Sequence, residues 1–303
     1  MNTSVNKGIV PALSAYILWG ITPIYFKWMA DENPLDIVAN RVIWSVALLA
    51  IVITFMGKWG NVKSALASSK TVKTLLATTF LIGVNWSVFI YAIGTDRMID
   101  ASLGYYINPL ISVILAYIFL NERLNRVQLI ALGLAVIGVG IQVVALGYLP
   151  WISILLALSF GFYGLCHKKT PTDSFTSLFV ETSLLMPIAF IIMGYLYNAG
   201  GNVAERELTT WMLFMLAGPV TTLPLLLFSL ASKTVKLSTL GFMQYIGPTM
   251  ILGLAIFVYG EELEPAKALT FTFIWIGLLL YGFDSVRRDS KRHKPANHYL
   301  RSY

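Results

Sequence analysis

Charge is scarce in this sequence: only 12% of its 303 residues are Asp, Glu, Lys or Arg, and the mean hydropathy is +0.71. Soluble domains carry about 25% charged residues. A soluble globular fold is therefore excluded and a polytopic membrane protein indicated. Cysteine is nearly absent, and the single Cys166 excludes an intrachain disulfide. With its neighbour His167 it offers two of the four ligands that a metal site needs, and the other histidines, His293 and His298, lie in the tail. No metal and no cofactor is expected. There is no GxxxxGK[ST] loop, which argues against ATP drive by this chain. Gly138-x-Gly140 resembles part of a dinucleotide fingerprint, but it lies inside an apolar run with no strand before it, where close helix packing explains the glycines better.

Long hydrophobic runs are abundant. Stretches long enough to span a bilayer fall at 8–28, 36–56, 73–94, 101–120, 126–147, 150–167, 174–197, 210–230, 236–259 and 267–285. The first run is too long for a signal-peptide core and lacks a small-residue cleavage pattern, so it is read as a retained helix. The shortest link, 147–150, decides whether the fifth and sixth runs are one helix or two. Lys and Arg are divided unequally among the links. With the N-terminus inside, the inward links and both ends hold seventeen, whereas the outward links hold only Lys27, Arg97, Arg206 and Lys267, and Arg41 lies within a span. The net charge of +7 is thus a topology signal placing both termini in the cytoplasm. The tail RRDSKRHK adjoins a membrane helix, and no nucleic-acid partner is implied.

An internal repeat organises the chain. Tyr106-Ile107-x-Pro109, followed by Glu122, returns as Tyr245-Ile246-x-Pro248, followed by Glu261, at an offset of 139; Phe89 and Ala92 match Phe228 and Ala231 at the same offset, and Trp19-Gly20 matches Tyr163-Gly164 at 144. The unit is five helices, so the second copy enters the membrane from the opposite side, the arrangement used for alternating access. The fold class expected is an all-α polytopic membrane protein, its ten transmembrane helices forming two inverted five-helix repeats: 1–147, 148–286, and a basic cytoplasmic tail over 287–303. A proline near the middle of each repeated span frees backbone carbonyls, tolerable only where neighbours, water or a lined cavity satisfy them. Pro109 and Pro248 are expected at bends lining a shared cavity near the midplane. A kink that merely shapes packing is the alternative.

The strings LWGITPIYFK at 18–27, NRVIWS at 40–45, NWSVFIYA at 85–92, SLGYYINPL at 102–110, NERL at 121–124 and GFMQYIGPT at 241–249 carry a family resemblance. The chain resembles a RarD-type permease of the EamA group, within the drug/metabolite transporter superfamily. The resemblance implies an inner-membrane carrier of two inverted halves that moves small organic molecules. It runs almost end to end, and Tyr105 stands where the family string has Phe.

Ionisable groups at membrane depth are costly, so each needs a reason. Arg41 lies about 9 Å into the second span from the outer side, and its repeat mate Glu181, at an offset of 140, lies at a similar depth in the seventh span from the inner side. Arg41 can snorkel outward and Glu181 can serve as a structural partner; the functional reading makes Glu181 the holder of a coupling proton or of a cationic substrate group, with Arg41 its counterpart across the cavity. Trp19, Asn85, Trp86, Tyr105, Tyr106, Asn108, Gln244 and Tyr245 supply amides, phenols and indoles suited to an amphipathic or aromatic solute, or to bonds between helices. The partners expected are a small-molecule substrate and membrane lipid, with a homodimer left open. An integral-membrane enzyme lacks an acid–base pair, nucleophile dyad or metal cluster here, and a scaffold or receptor would not need mirror-related prolines and buried charges. Reporter fusions after Tyr303 and within 198–209 are expected to give cytoplasmic and external signals respectively; the same side for both would mean a helix count wrong by one.

Overall fold

Apolar runs broken by Gly, Pro and Asn become helices with marked ends. The computed structural model describes residues 3–95, 97–198, 206–260 and 262–292. Among the described residues there are twelve helices and no strand: α1 (Thr3–Trp28), α2 (Pro34–Phe55), α3 (Trp59–Ala67), α4 (Ser69–Gly94), α5 (Met98–Leu120), α6 (Arg126–Leu146), α7 (Trp151–Lys169), α8 (Ser174–Asn198), α9 (Leu208–Thr234), α10 (Leu237–Gln244), α11 (Ile246–Phe257) and α12 (Pro265–Arg292). Ten segments are long and apolar enough to cross a membrane, α10 and α11 together forming one of them. They coincide with the ten expected runs to within a few residues.

Local chemistry sets the boundaries. Asn33 caps α2 by accepting from the Leu35 amide, with Pro34 in the first helical position, where its missing N–H costs nothing. Asn125 and Gln128 form a reciprocal capping box at the start of α6. The 147–150 link is a true break: Gly147 takes φ +76° to end α6, a conformation that L side chains rarely adopt, and Pro150 precedes α7. The short α3 was not anticipated from the sequence. It buries Val62 against Ile53, Leu75 and Val180 at the membrane end of α2, α4 and α8.

The packing is paired. α1 lies on α9 as α7 lies on α4; α7 lies on α5 as α1 lies on α11; α2 packs on α8, and α6 on α12. Small residues permit the closest approaches. A methyl group on Gly138 would stand 2.9 Å from the Thr270 carbonyl oxygen of α12, and one on Gly241 would stand 2.9 Å from the Pro109 carbonyl oxygen of α5. Gly140 has open space beside it, so of the two glycines assigned to packing only Gly138 serves it.

The two repeated prolines behave differently. α5 continues through Pro109 as one helix, whereas the ninth span is divided at Tyr245, three residues before Pro248. Neither proline has an N–H to offer, so the carbonyls of Tyr105 and Gln244, four residues earlier, lose their helical donors. α10 packs along α5, while α11 turns away and packs on α1 instead. Glu122, just beyond α5, accepts from the Leu237 and Ser238 amides at 3.0 Å and from the Ser238 hydroxyl at 2.6 Å, capping α10. Its repeat mate Glu261 lies outside the described residues.

Gly138→Ala is expected to lower the melting temperature in detergent, overpacking of this kind costing about 1–3 kcal/mol, while Gly140→Ala leaves it unchanged or raises it. Equal loss in both variants would refute the close contact.

Candidate functional site

Two polar clusters occupy the interior of the bundle. The first is built around Glu181, about 10 Å into α8 from its start. Its carboxylate accepts from the Thr78 hydroxyl of α4 at 2.6 Å and from the Tyr163 phenol of α7 at 3.3 Å. Nε2 of His167, also on α7, stands 3.0 Å from both carboxylate oxygens, and Nδ1 of the same ring lies 3.0 Å from the Ser229 hydroxyl of α9. Glu181 and His167 are 1% and 0% exposed, so this is a closed chain of proton donors and acceptors with no solvent contact.

The cluster sits where helix ends are drawn together. Lys168 of α7 donates to the Ser232 and Val235 carbonyls, and Lys233 of α9 donates to those of His167 and Thr170, so each helix supplies a cation to the other's terminal carbonyls. Asp173 fixes the start of α8 through the Thr176 amide and hydroxyl, and binds Lys58 and Asn61 beyond α2. Burial pushes the Asp173 carboxyl up, but the hydrogen bonds from Thr176, Lys58 and Asn61 outweigh it and hold the group below the usual carboxylate range.

The second cluster surrounds Arg41, about 10 Å into α2 from its own start and therefore nearer the opposite face. Its Nε donates to the Thr221 hydroxyl of α9 at 2.9 Å, and its guanidinium carbon lies 4.8 Å from the centre of the Trp86 ring and 5.6 Å from that of Phe26. Arg41 and Glu181 do not touch: each belongs to its own cluster. At the start of α2, Asp36 accepts from Asn40 at 2.8 Å and pairs with Arg206, whose guanidinium also lies over Phe214. Asp100 is similarly held by Arg97 and Tyr148.

A row of aromatic rings leads to the first cluster. Trp19, about 10 Å along α1 from Phe26, packs against Tyr16, Phe160 and Phe228 with centroids 5.6–5.9 Å apart. Phe228 stacks on Tyr163, whose ring lies 4.4 Å from His167. The other sequence candidates divide by what they touch. Asn85 is committed to packing, donating to the Leu156 carbonyl and the Ser159 hydroxyl of α7, each at 3.0 Å. Tyr245 donates to the Tyr106 carbonyl, tying the ninth span to the fourth, and the Tyr106 ring meets Phe271 of α12 edge-on, tying the fourth span to the tenth. Pro109, Pro248 and Gln244 are buried beside them, and Asn108 is buried with an Oδ1 that has no partner among the described residues. Tyr105 alone of this group is substantially exposed, at 42%. Sequence reasoning missed His167, Thr78 and Ser229. His167 was weighed only with Cys166 as a metal ligand, although its place fourteen residues before Glu181 suits facing helices joined by a short link.

Ten membrane-length helices among the described residues, enclosing ionisable groups, define a multi-pass membrane protein. Residues 6–144 match the EamA-like transporter family. The chain is 48% identical over 285 residues to an uncharacterized transporter of Vibrio cholerae, covering 93% of this chain and 94% of that protein. It is 39% identical over 290 residues to protein RarD of Escherichia coli, covering 94% and 98%. A crystal structure with 16% sequence identity superposes with a TM-score of 0.71 over 91% of this chain and 97% of the other, sharing its fold. The chain belongs to the EamA-like transporter family, in its RarD-type branch.

Glu181→Leu is expected to destabilise the bundle by about 3–5 kcal/mol, because His167 and its neighbours lose their buried acceptor. Adding His167→Phe should recover part of that loss. Unfolding in mixed micelles measures the cycle, and strictly additive effects would show that the pair is not coupled.

Proposed function

We infer that this chain is a secondary transporter moving small organic metabolites or drug-like molecules across the cytoplasmic membrane by alternating access, with a coupling proton carried on the Glu181–His167 pair. The observation that carries the coupling is the pair itself: a carboxylate and an imidazole, both fully buried, within a closed chain from Thr78 to Ser229. Intramembrane ionisable pairs of this kind serve as proton relays. Taking up one proton changes the charge of the pair by one without breaking its hydrogen bonds.

Alternating access is supported by two features. The 139-residue offset and the paired packing of α1 on α9 and α7 on α4 fit two inverted halves, 1–147 and 148–286, followed by the tail. The division at Tyr245 lets the ninth span follow α5 along α10 and α1 along α11, so that its two parts pack on different neighbours. In this reading the termini and the Glu181 cluster lie toward the cytoplasm, in agreement with the Lys and Arg distribution.

Purified protein in liposomes, screened against a metabolite panel with an imposed pH gradient, tests the reading. Gradient-dependent flux is expected from the wild type. Glu181→Gln keeps the shape and removes the charge, and should abolish the response to pH. A folded Glu181→Gln variant with wild-type rate and pH dependence would remove the coupling role, and wild-type protein without flux of any panel member would remove the transport mechanism.

A further inference from the structure

Arg41 stands apart from the other described interior cations. Arg206 is paired with Asp36, Arg97 with Asp100 and Lys58 with Asp173, while Lys168 and Lys233 are spent on helix-end carbonyls. Among the described residues no carboxylate comes within ion-pair distance of Arg41. Its hydroxyl partner Thr221 takes only the Nε hydrogen, leaving the paired outer N–H groups of the fork for something else.

Aromatic rings and a hydroxyl surround the guanidinium. Arg41 is half-buried and Tyr105 is 42% exposed. The phenols of Tyr25 and Tyr105 lie close enough to feel the guanidinium charge, and that of Tyr25 is already used on the Leu213 carbonyl. Trp86 lies against the cation at 4.8 Å and locks its plane together with Thr221. Ring contact offsets only part of the cost of a cation at membrane depth. A guanidinium fork offers parallel donors matched to a carboxylate.

We propose that Arg41 is the anion-recognition residue of the transport pathway, and that the substrate class is a small organic monocarboxylate whose flat apolar part lies against Trp86 and Tyr105. This rests on the transporter reading above and specifies its cargo. One guanidinium with no second cation beside it suits one negative charge, and the indole and phenol suit an aromatic or planar body. The freed carbonyl of Tyr105, left without a helical donor by Pro109, adds an acceptor on the same residue for a polar hydrogen of the ligand.

The test uses shape-matched probes on the purified full chain in detergent: phenylacetate, phenylacetamide and phenethylamine, with tryptophan fluorescence and thermal shift as readouts. Phenylacetate is expected to bind saturably, the amide at least about tenfold more weakly, and the amine not at all. Arg41→Gln should abolish the preference for the acid, and Arg41→Lys should keep a weakened preference, since an ammonium retains the charge but not the fork. Equal binding of acid and amide by the wild type, no binding of the acid, or undiminished preference in a folded Arg41→Gln variant would each overturn the proposal. The acid–amide comparison needs no variant, so failure of Arg41→Gln to fold leaves it decisive. Flux of the same probes is measured separately in liposomes. Arg41-dependent binding without flux would count against transport and leave the site standing; flux without an Arg41-dependent preference would leave transport standing and sink the site.

Discussion

A single carboxylate holds four helices in register. Glu181 of α8 receives Thr78 from α4 and Tyr163 and His167 from α7, and His167 passes the contact on to Ser229 of α9. In a bilayer the apolar faces of these helices gain little by leaving lipid for one another, because the tails are as apolar as the side chains. Position must therefore be set by close packing and by the few polar groups that have no other place to go. A buried carboxylate is the most demanding of these, since any arrangement that strands it is heavily penalised. The surrounding alanines, serines and glycines then let the helices close around it.

The same reasoning explains the spacing of the two clusters. Arg41 and Glu181 are groups of opposite sign 140 residues apart in the sequence, and a direct ion pair would have been the simplest way to accommodate both. They do not meet, and a row of rings from Trp19 through Phe160 and Phe228 packs against Tyr163 of the Glu181 cluster instead. Each charge is accommodated where it stands, Glu181 by hydrogen bonds and a histidine, Arg41 by aromatic faces and a hydroxyl. The interior thus keeps two chemically distinct environments within one bundle.

Much of the architecture was legible because membrane spans announce themselves by length and hydropathy. The spans, the break at Gly147 and the family could all be read from residues. What could not be read depended on facing. Asn85 and Trp86 are adjacent in the chain, yet one is spent on α7 while the other lies against Arg41. Gly138 and Gly140 differ in the same way, by which side of α6 they occupy. His167 was weighed only as a metal ligand beside Cys166, and only the fold brings its ring to the Glu181 carboxylate. The short α3 escaped because nine amphipathic residues carry no spanning signal. The repeated prolines predicted alike structures at 109 and 248, but a proline only removes a donor; whether the helix continues depends on the neighbours that surround it, and those differ between α5 and the ninth span.

The cap that Glu122 places on α10 has a mechanical consequence. A carboxylate at the end of α5 is fastened to the amides that begin α10, and the backbones of the two helices meet again where Gly241 lies against Pro109. Two fastenings about a helical turn or more apart remove relative sliding as well as relative rotation. α10 is therefore mechanically part of α5 although it is covalently continuous with α11, and the rigid pieces of this bundle do not coincide with its membrane spans. The ninth span is divided at Tyr245 between a part fastened to α5 and a part packed on α1.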